Sequence, residues 1–239
     1  MWDWGAFLGY YFHPLILKGV LYTLFISVAS MIIGIILGLI FALMLMSKNK
    51  VLNKIAGFYT WAWRGTPLLV QLILIFAGLP RLGIQLTVLQ CALAGLGINE
   101  GAYLAEIFRG GILAVSKGQL SAATALGMDY PTRMRLIVIP QSMRFIVPAL
   151  GNRINSMIKM SSLVSVISLS ELLRSTQTLI QESFKVLELF IVAALWYLTL
   201  TSTWNIIQTR IEAYYGRGYK EMKSSKKAPA KKSSNPINS

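Results

Sequence analysis

Between Lys18 and Lys48 the chain carries no charged side chain, and Gly19 to Ser47 is almost wholly apolar. No other feature constrains the fold as strongly. A helix needs about 20 mostly apolar residues to cross the hydrocarbon core of a bilayer. Inside lipid the backbone must satisfy its own polar groups, which a helix does. Four further stretches follow the first. They are Ile55 to Leu79, interrupted by Arg64; Leu86 to Phe108, with Glu100 and Glu106 near its end; Arg144 to Leu169, holding Arg153 and Lys159; and Leu187 to Gln208, with Glu188 at its start. The expected fold is an all-α membrane protein with five transmembrane helices over residues 1–218. Composition agrees: only 13% of residues are charged, against about one quarter in soluble domains. From residue 219 the chain turns to Lys, Ser, Pro and Asn. Such a segment buries too little apolar surface to order itself, so 219–239 is read as a basic disordered tail near lipid head groups.

Composition also excludes several classes. The net charge of +14 invites a nucleic-acid reading, but the cations flank apolar spans instead of lining one face, so no nucleic-acid partner is expected. Cys91 is the single cysteine, which leaves no internal disulfide and an inert packing role. His13 stands alone beside Pro14; without acidic or cysteine partners at ligand spacing it is structural, and no metal site is expected. No catalytic residues are assigned, and the chain is not expected to be an enzyme. No Gly-Lys dipeptide occurs, so there is no P-loop and no cofactor bound by this chain. The N-terminus has no basic region before its long apolar run and no clear cleavage site, which argues against a signal peptide. The aromatic segment Trp2 to Tyr11 suits an interfacial position. Gly34 and Gly38 form a small-xxx-small pair that permits close helix approach.

Charge asymmetry sets an expected orientation. With five spans, Lys48, Lys50, Lys54, Arg109, Lys117, Arg133, Arg135, Arg144 and the basic tail from Arg210 share one side. Lys18, Arg81, Arg174 and Lys185 share the other. The positive-inside tendency then puts the N-terminus outside and the C-terminus in the cytoplasm of a multi-pass cytoplasmic membrane protein. The loop 109–141 falls on the cytoplasmic side. There Gly118 precedes a short helix, Gln119 to Leu126, whose Ala122, Ala123 and Ala125 leave a flat face for a partner. Gly127 ends that helix with positive φ. Asp129 suits an N-cap with Pro131 in the next first turn, and Pro140 and Pro148 limit continuity beyond it.

The same loop reads SAATALGMDYPTRMRLIVIP from Ser121 to Pro140. It resembles the EAA loop of ABC importer permeases: Ala122, Ala123, Gly127, Ile137, Ile139 and Pro140 match, while Ser121 stands where the family has Glu. Arg64-Gly65-Thr66-Pro67 with Gln71, the run Ala102 to Gly111, Pro148-Ala149-Leu150 with Asn152, and Lys159 to Ile167 are similar to the polar amino acid permeases of the His/Glu/Gln/Arg/opine type. The resemblance covers most of Thr23 to Gln208. It implies a type I importer whose permease pair forms the pore. The second permease is another copy or a paralogue, separate ATP-binding subunits carry ATP and Mg, and an extracytoplasmic solute-binding protein delivers the amino acid. Ser121, Ala122, Ala123, Gly127, Ile137, Ile139 and Pro140 would then couple to the ATPase. A permease of another small polar solute is the runner-up, and an ion channel leaves the loop unexplained.

The fourth span carries the substrate argument. Asn152, Asn155, Ser156 and Lys159 follow i, i+3, i+4, i+7 and share a helical face, with Arg153 about 100° round. Charged groups within spans tend to face a polar pathway. Arg64, Thr66, Gln71, Asn152, Arg153, Asn155, Ser156 and Lys159 are the pathway candidates. Two readings of Arg153 and Lys159 stay open: they meet solute, or they pair with Glu100 or Glu106 or reach an interface. No Asp or Glu lies between 149 and 163. If Arg153 is unpaired, a wet cavity admitting an anionic group suits it, which favours neutral, acidic or cystine-like amino acids over arginine and lysine. The family's Lys-Asp-Thr-Ser-Leu is Lys159-Met160-Ser161-Ser162-Leu163 here.

Overall fold

The computed structural model describes residues 4–225, with side chains over residues 7–215. Every element among them is helical. Helix α1 (Trp4–Tyr11) leads through His13 into α2 (Pro14–Leu45). His13 caps α2, its Nδ1 accepting from Leu15 N at 3.2 Å, with Pro14 as the first helical residue. Its role is structural, as its isolation implied.

Helix α3 (Lys50–Gly65) and α4 (Leu68–Ile73) do not form one straight span. The chain bends by 104° between them. Thr66 is extended at φ −117°, ψ 145°, as a residue before proline is pushed to be, and Pro67 offers no N–H to continue the helix. Beyond α4 a π turn (Leu74–Gly78) and a 3-10 turn (Leu79–Leu82) finish the segment. Helix α5 (Val88–Leu113) opens on a capping box between Thr87 and Gln90 and runs through the centre of the molecule. Helix α6 (Lys117–Ala125), α7 (Tyr130–Arg133) and a π turn (Met134–Val138) make the expected loop. Its first break lies at residues 114–116, and Gly118 sits inside the first turn of α6 instead of before it.

Helix α8 (Ile139–Met160) continues through Pro148, which does not interrupt it as expected. A 3-10 segment (Ser161–Ile167) and α9 (Leu172–Ser183) follow, and α10 (Val186–Ser225) ends the described chain. It runs past residue 219, where a disordered tail was expected; residues 226–239 lie outside the described part.

Two segments, Phe7–Leu45 and Val186–Tyr215, are long and apolar enough to cross a membrane, and up to four qualify if each bent pair counts as one. The expected third span is α5, which carries Glu100, Glu106 and Arg109 and is buried along most of its length. Helices α2 and α5 touch along their length. A Cβ on Gly34 would stand 2.9 Å from Glu100 Cβ and Cγ, and one on Gly38 2.7 Å from Leu104 Cβ. The small-xxx-small pair therefore makes room for α5. Cys91 is buried in the central apolar cluster with Leu72, Leu96 and Met157. A second cluster joins Ile16, Leu172, Leu189 and Val192 at the other end.

Candidate functional site

One flank of α5 gathers the three charged residues of that helix. Glu100, Tyr103, Glu106 and Arg109 recur every third residue, so they climb one flank of the helix. Glu100 is fully buried, and Arg153 from α8 grips it with both arms of its fork. Nε donates to Oε1 at 2.8 Å and Nη2 to Oε2 at 2.5 Å. Arg153 also lies over the Tyr103 ring, 4.2 Å from its centroid. Arg153 is therefore paired with Glu100, one of the two arrangements that its sequence left open. Removing two charges from water is costly unless they meet in this bidentate way, and the small Gly34 lets Glu100 sit where Arg153 can reach it.

Arg64, in the last turn of α3, also approaches Tyr103, with its guanidinium 5.5 Å from the ring centroid. Its nearest carboxylate oxygen is Glu106 Oε1 at 3.7 Å, beyond hydrogen-bond range. The second oxygen of Glu106 is taken by Arg109, whose Nε and Nη2 donate at 3.0 and 2.7 Å. Arg64 is 42% exposed, whereas Arg153 is 19% exposed.

The bend that presents Arg64 is held by a buried amide pair. Gln71 Nε2 donates to Trp63 O at 2.8 Å, Thr66 O at 3.1 Å and Thr66 Oγ1 at 2.7 Å. Asn99 Nδ2 donates to Trp63 O at 3.1 Å and Gln71 Oε1 at 2.9 Å. The break at Pro67 leaves carbonyls of α3 without helical donors, and these amides supply them. Gln71 and Thr66, two of the pathway candidates, fasten the bend, and Gln71 ties it to α5 through Asn99. Asn99 was missed by the sequence reading; its place one residue before Glu100 was the available signal. Tyr103, Glu106 and Arg109 were missed as a group, although their spacing of three was legible.

The polar residues of α8 separate. Asn155 Nδ2 donates to Asn205 Oδ1 at 2.8 Å, and Gln208 Nε2 donates to Asn152 Oδ1 at 3.1 Å, so both asparagines face α10. Ser156 donates to Asn152 O within its own helix at 3.0 Å. Lys159 is exposed. The structure brings Arg64 and Arg153 together at Tyr103 and leaves the other α8 candidates outside that cluster.

In the loop, Gly127 has φ +73°. Its N–H donates to Thr124 O at 3.0 Å, and Met128 N donates to Ala123 O at 3.1 Å, a Schellman closure of α6. Asp129 caps α7 through Thr132 N at 3.3 Å, and its hydrogen bond with Thr132 holds the carboxyl below its ordinary pKa. Arg133 Nη1 donates to Thr124 Oγ1 at 2.5 Å and ties α7 back to α6. Ser121, Ala122, Ile139 and Pro140 are exposed, and Ile137 is half-buried. Ala123 is 1% exposed. It packs inside the chain and is not part of the flat docking face expected of it.

Residues 34–215 match the family described as the binding-protein-dependent transport system inner membrane component. The chain belongs to this family. Among its relatives, the arginine transport system permease protein ArgU of Corynebacterium glutamicum is 38% identical over 231 residues, spanning 91% of this chain and 73% of that protein. The probable amino-acid ABC transporter permease protein YckA of Bacillus subtilis is 39% identical, spanning 84% and 89%. A crystal structure of an amino acid ABC transporter with histidines superposes at TM-score 0.85 and 37% identity, covering 90% of this chain and 99% of that one. The MetNI methionine ABC transporter, at TM-score 0.71 and 18% identity over 85% and 97% of the two chains, shares the fold. This inner membrane component thus carries its charged α5 face within the 34–215 region that defines the family.

Proposed function

We propose that this chain is the membrane-spanning subunit of an ATP-driven amino acid importer. Two such subunits form the translocation pathway, and a separate ATPase couples to it through the 119–140 loop. The observation that carries the reading is the α5 face. A buried ion pair, two partly exposed arginines and a tyrosine platform line one flank of an otherwise largely apolar helix, an arrangement costly in lipid unless it borders a polar path. The amino acid cargo of the relatives supports the same class of solute. The exposed face of α6, closed by Gly127 and stapled by Arg133, offers the ATPase a firm surface. Pushing on a firm helix transmits a rigid-body motion, a recognised route to alternating access.

In this reading α5 is a fifth crossing, the N-terminus lies outside and the C-terminus is cytoplasmic, as the distribution of lysine and arginine supports. ATP hydrolysis belongs to the partner, and an extracytoplasmic binding protein delivers the solute. The preference against arginine and lysine lapses, because it depended on an unpaired Arg153.

Reconstitution tests the proposal. The chain is co-expressed with candidate ATP-binding subunits, purified, and placed in proteoliposomes with the binding protein outside and ATP on the opposite side. Uptake of labelled L-glutamine or L-arginine that requires ATP is the expected result. Uptake that proceeds without ATP, or a preparation that retains no ATPase subunit, refutes it.

A further inference from the structure

The cations around Tyr103 are not equivalent. Arg153 spends its fork on Glu100. Arg109 spends its own on Glu106 Oε2. Arg64 makes no hydrogen bond among the described residues; it has a 3.7 Å approach to the remaining Glu106 oxygen and a distant ring contact. The group holds Arg64, Arg109 and Arg153 against Glu100 and Glu106, so it carries an excess positive charge. Hydrogen bonding places that excess on Arg64. The guanidinium's donors are directed and cannot be lost by deprotonation.

Arg64 is also held in place. It closes α3, whose C-terminal carbonyls favour a cation. The bend immediately after it is fastened by Gln71 and Asn99, which are 5% and 2% exposed. Its backbone is thus fixed while 42% of its side chain stays exposed. Lys159, the other candidate cation, lies six residues beyond Arg153, roughly 9 Å along α8, and no contact ties it to the Tyr103 group.

We infer that Arg64 is the carboxylate-binding residue of the pathway. It would receive the α-carboxylate of the amino acid with Tyr103 beneath it, while Glu100–Arg153 serves as a fixed wall. The inference rests on the amino acid reading above and specifies which cation meets the solute. A bidentate guanidinium–carboxylate contact discriminates sharply against an uncharged amide in the same place.

The test uses the assembled complex of the chain with its ATPase in lipid nanodiscs. The binding protein is omitted so that it cannot select the solute first. Binding of tritiated L-glutamine and L-arginine is competed with the same amino acids and with L-glutaminamide and L-argininamide. Wild type should prefer the acids by about tenfold or more, the scale of hydrogen bonds to a charged group. Arg64→Gln should weaken acid binding by a similar factor and bind acid and amide alike. Arg64→Lys, which keeps charge and loses the fork, should keep the preference with weaker binding. An Arg64→Gln complex that retains the wild-type acid-to-amide ratio overturns the inference alone. If Arg64→Gln fails to assemble, unchanged affinity in Arg64→Lys overturns it. A wild-type complex that binds neither acid refutes the amino acid reading and the inference together.

Discussion

Replacing Arg153 by Met should cost stability well beyond the loss of one contact. The partner carboxylate of Glu100 is 0% exposed, and both of its oxygens receive Arg153 at 2.8 and 2.5 Å. Among the described residues Arg153 is the one cation paired with Glu100, and the nearest carboxylate to Arg64 is that of Glu106. Removing one partner of a buried pair costs about 3–5 kcal/mol, because the remaining charge stays desolvated. For a chain of this size each kcal/mol moves the melting temperature by about 2–4 °C, so the midpoint should fall on the order of 10 °C. Changing both residues, Glu100→Gln with Arg153→Met, removes the stranded charge and should recover most of the loss. The assay heats detergent-solubilised protein and measures the fraction that remains monodisperse by size exclusion. A fall of only a couple of degrees for Arg153→Met, or a double variant no better than the single, would refute a structural role for the pair.

The other predictions concern packing and the loop. Gly34→Val places a Cβ 2.9 Å from Glu100, so its midpoint should fall by a similar amount and be insensitive to Arg153→Met added on top. Gly127→Val meets no atom but must hold φ +73°, a strain of about 1–2 kcal/mol; the variant should insert normally and lose ATP-driven uptake. Ser121 is exposed and makes no side-chain bond among the described residues, so Ser121→Ala should co-purify with the ATPase at wild-type yield. Asp129 has its pKa lowered in the folded loop. Its contribution is complete above the ordinary carboxyl range, near pH 4, and disappears as pH falls through the lowered value. Amide protection over 124–136, the exchange rate relative to the intrinsic rate at each pH, should therefore stay constant from pH 8 to pH 5 and fall below about pH 4, and Asp129→Asn, which keeps the cap, should flatten that fall.

The sequence alone determined the helical class, the apolar segments, the helix end at Gly127 and the cap at Asp129. These are local properties. An uncharged apolar run requires internal backbone bonding, a Gly in LGMD closes a helix, and Asp before a Tyr-Pro pair starts the next. They need no knowledge of which helix lies beside which. Two local expectations still failed. Pro148 sits within α8 without breaking it, and Thr66–Pro67 bends the second segment by 104°, because packing decides whether a proline is accommodated or turns the chain.

Tertiary structure decided the partnerships. Arg153 and Glu100 are 53 positions apart, so no spacing on α8 could show that the cation was already neutralised. The helical face shared by Asn152 and Asn155 was legible, but its neighbour was α10 and not a water path. Ala123 read as a surface for docking because its small size was visible and its burial was not. Arg64, written in the sequence as one cation among several, became distinct only when the fold gave Glu100 and one oxygen of Glu106 to other arginines and left it the other Glu106 oxygen at 3.7 Å. Charge is a local fact of the chain; compensation depends on which helices meet.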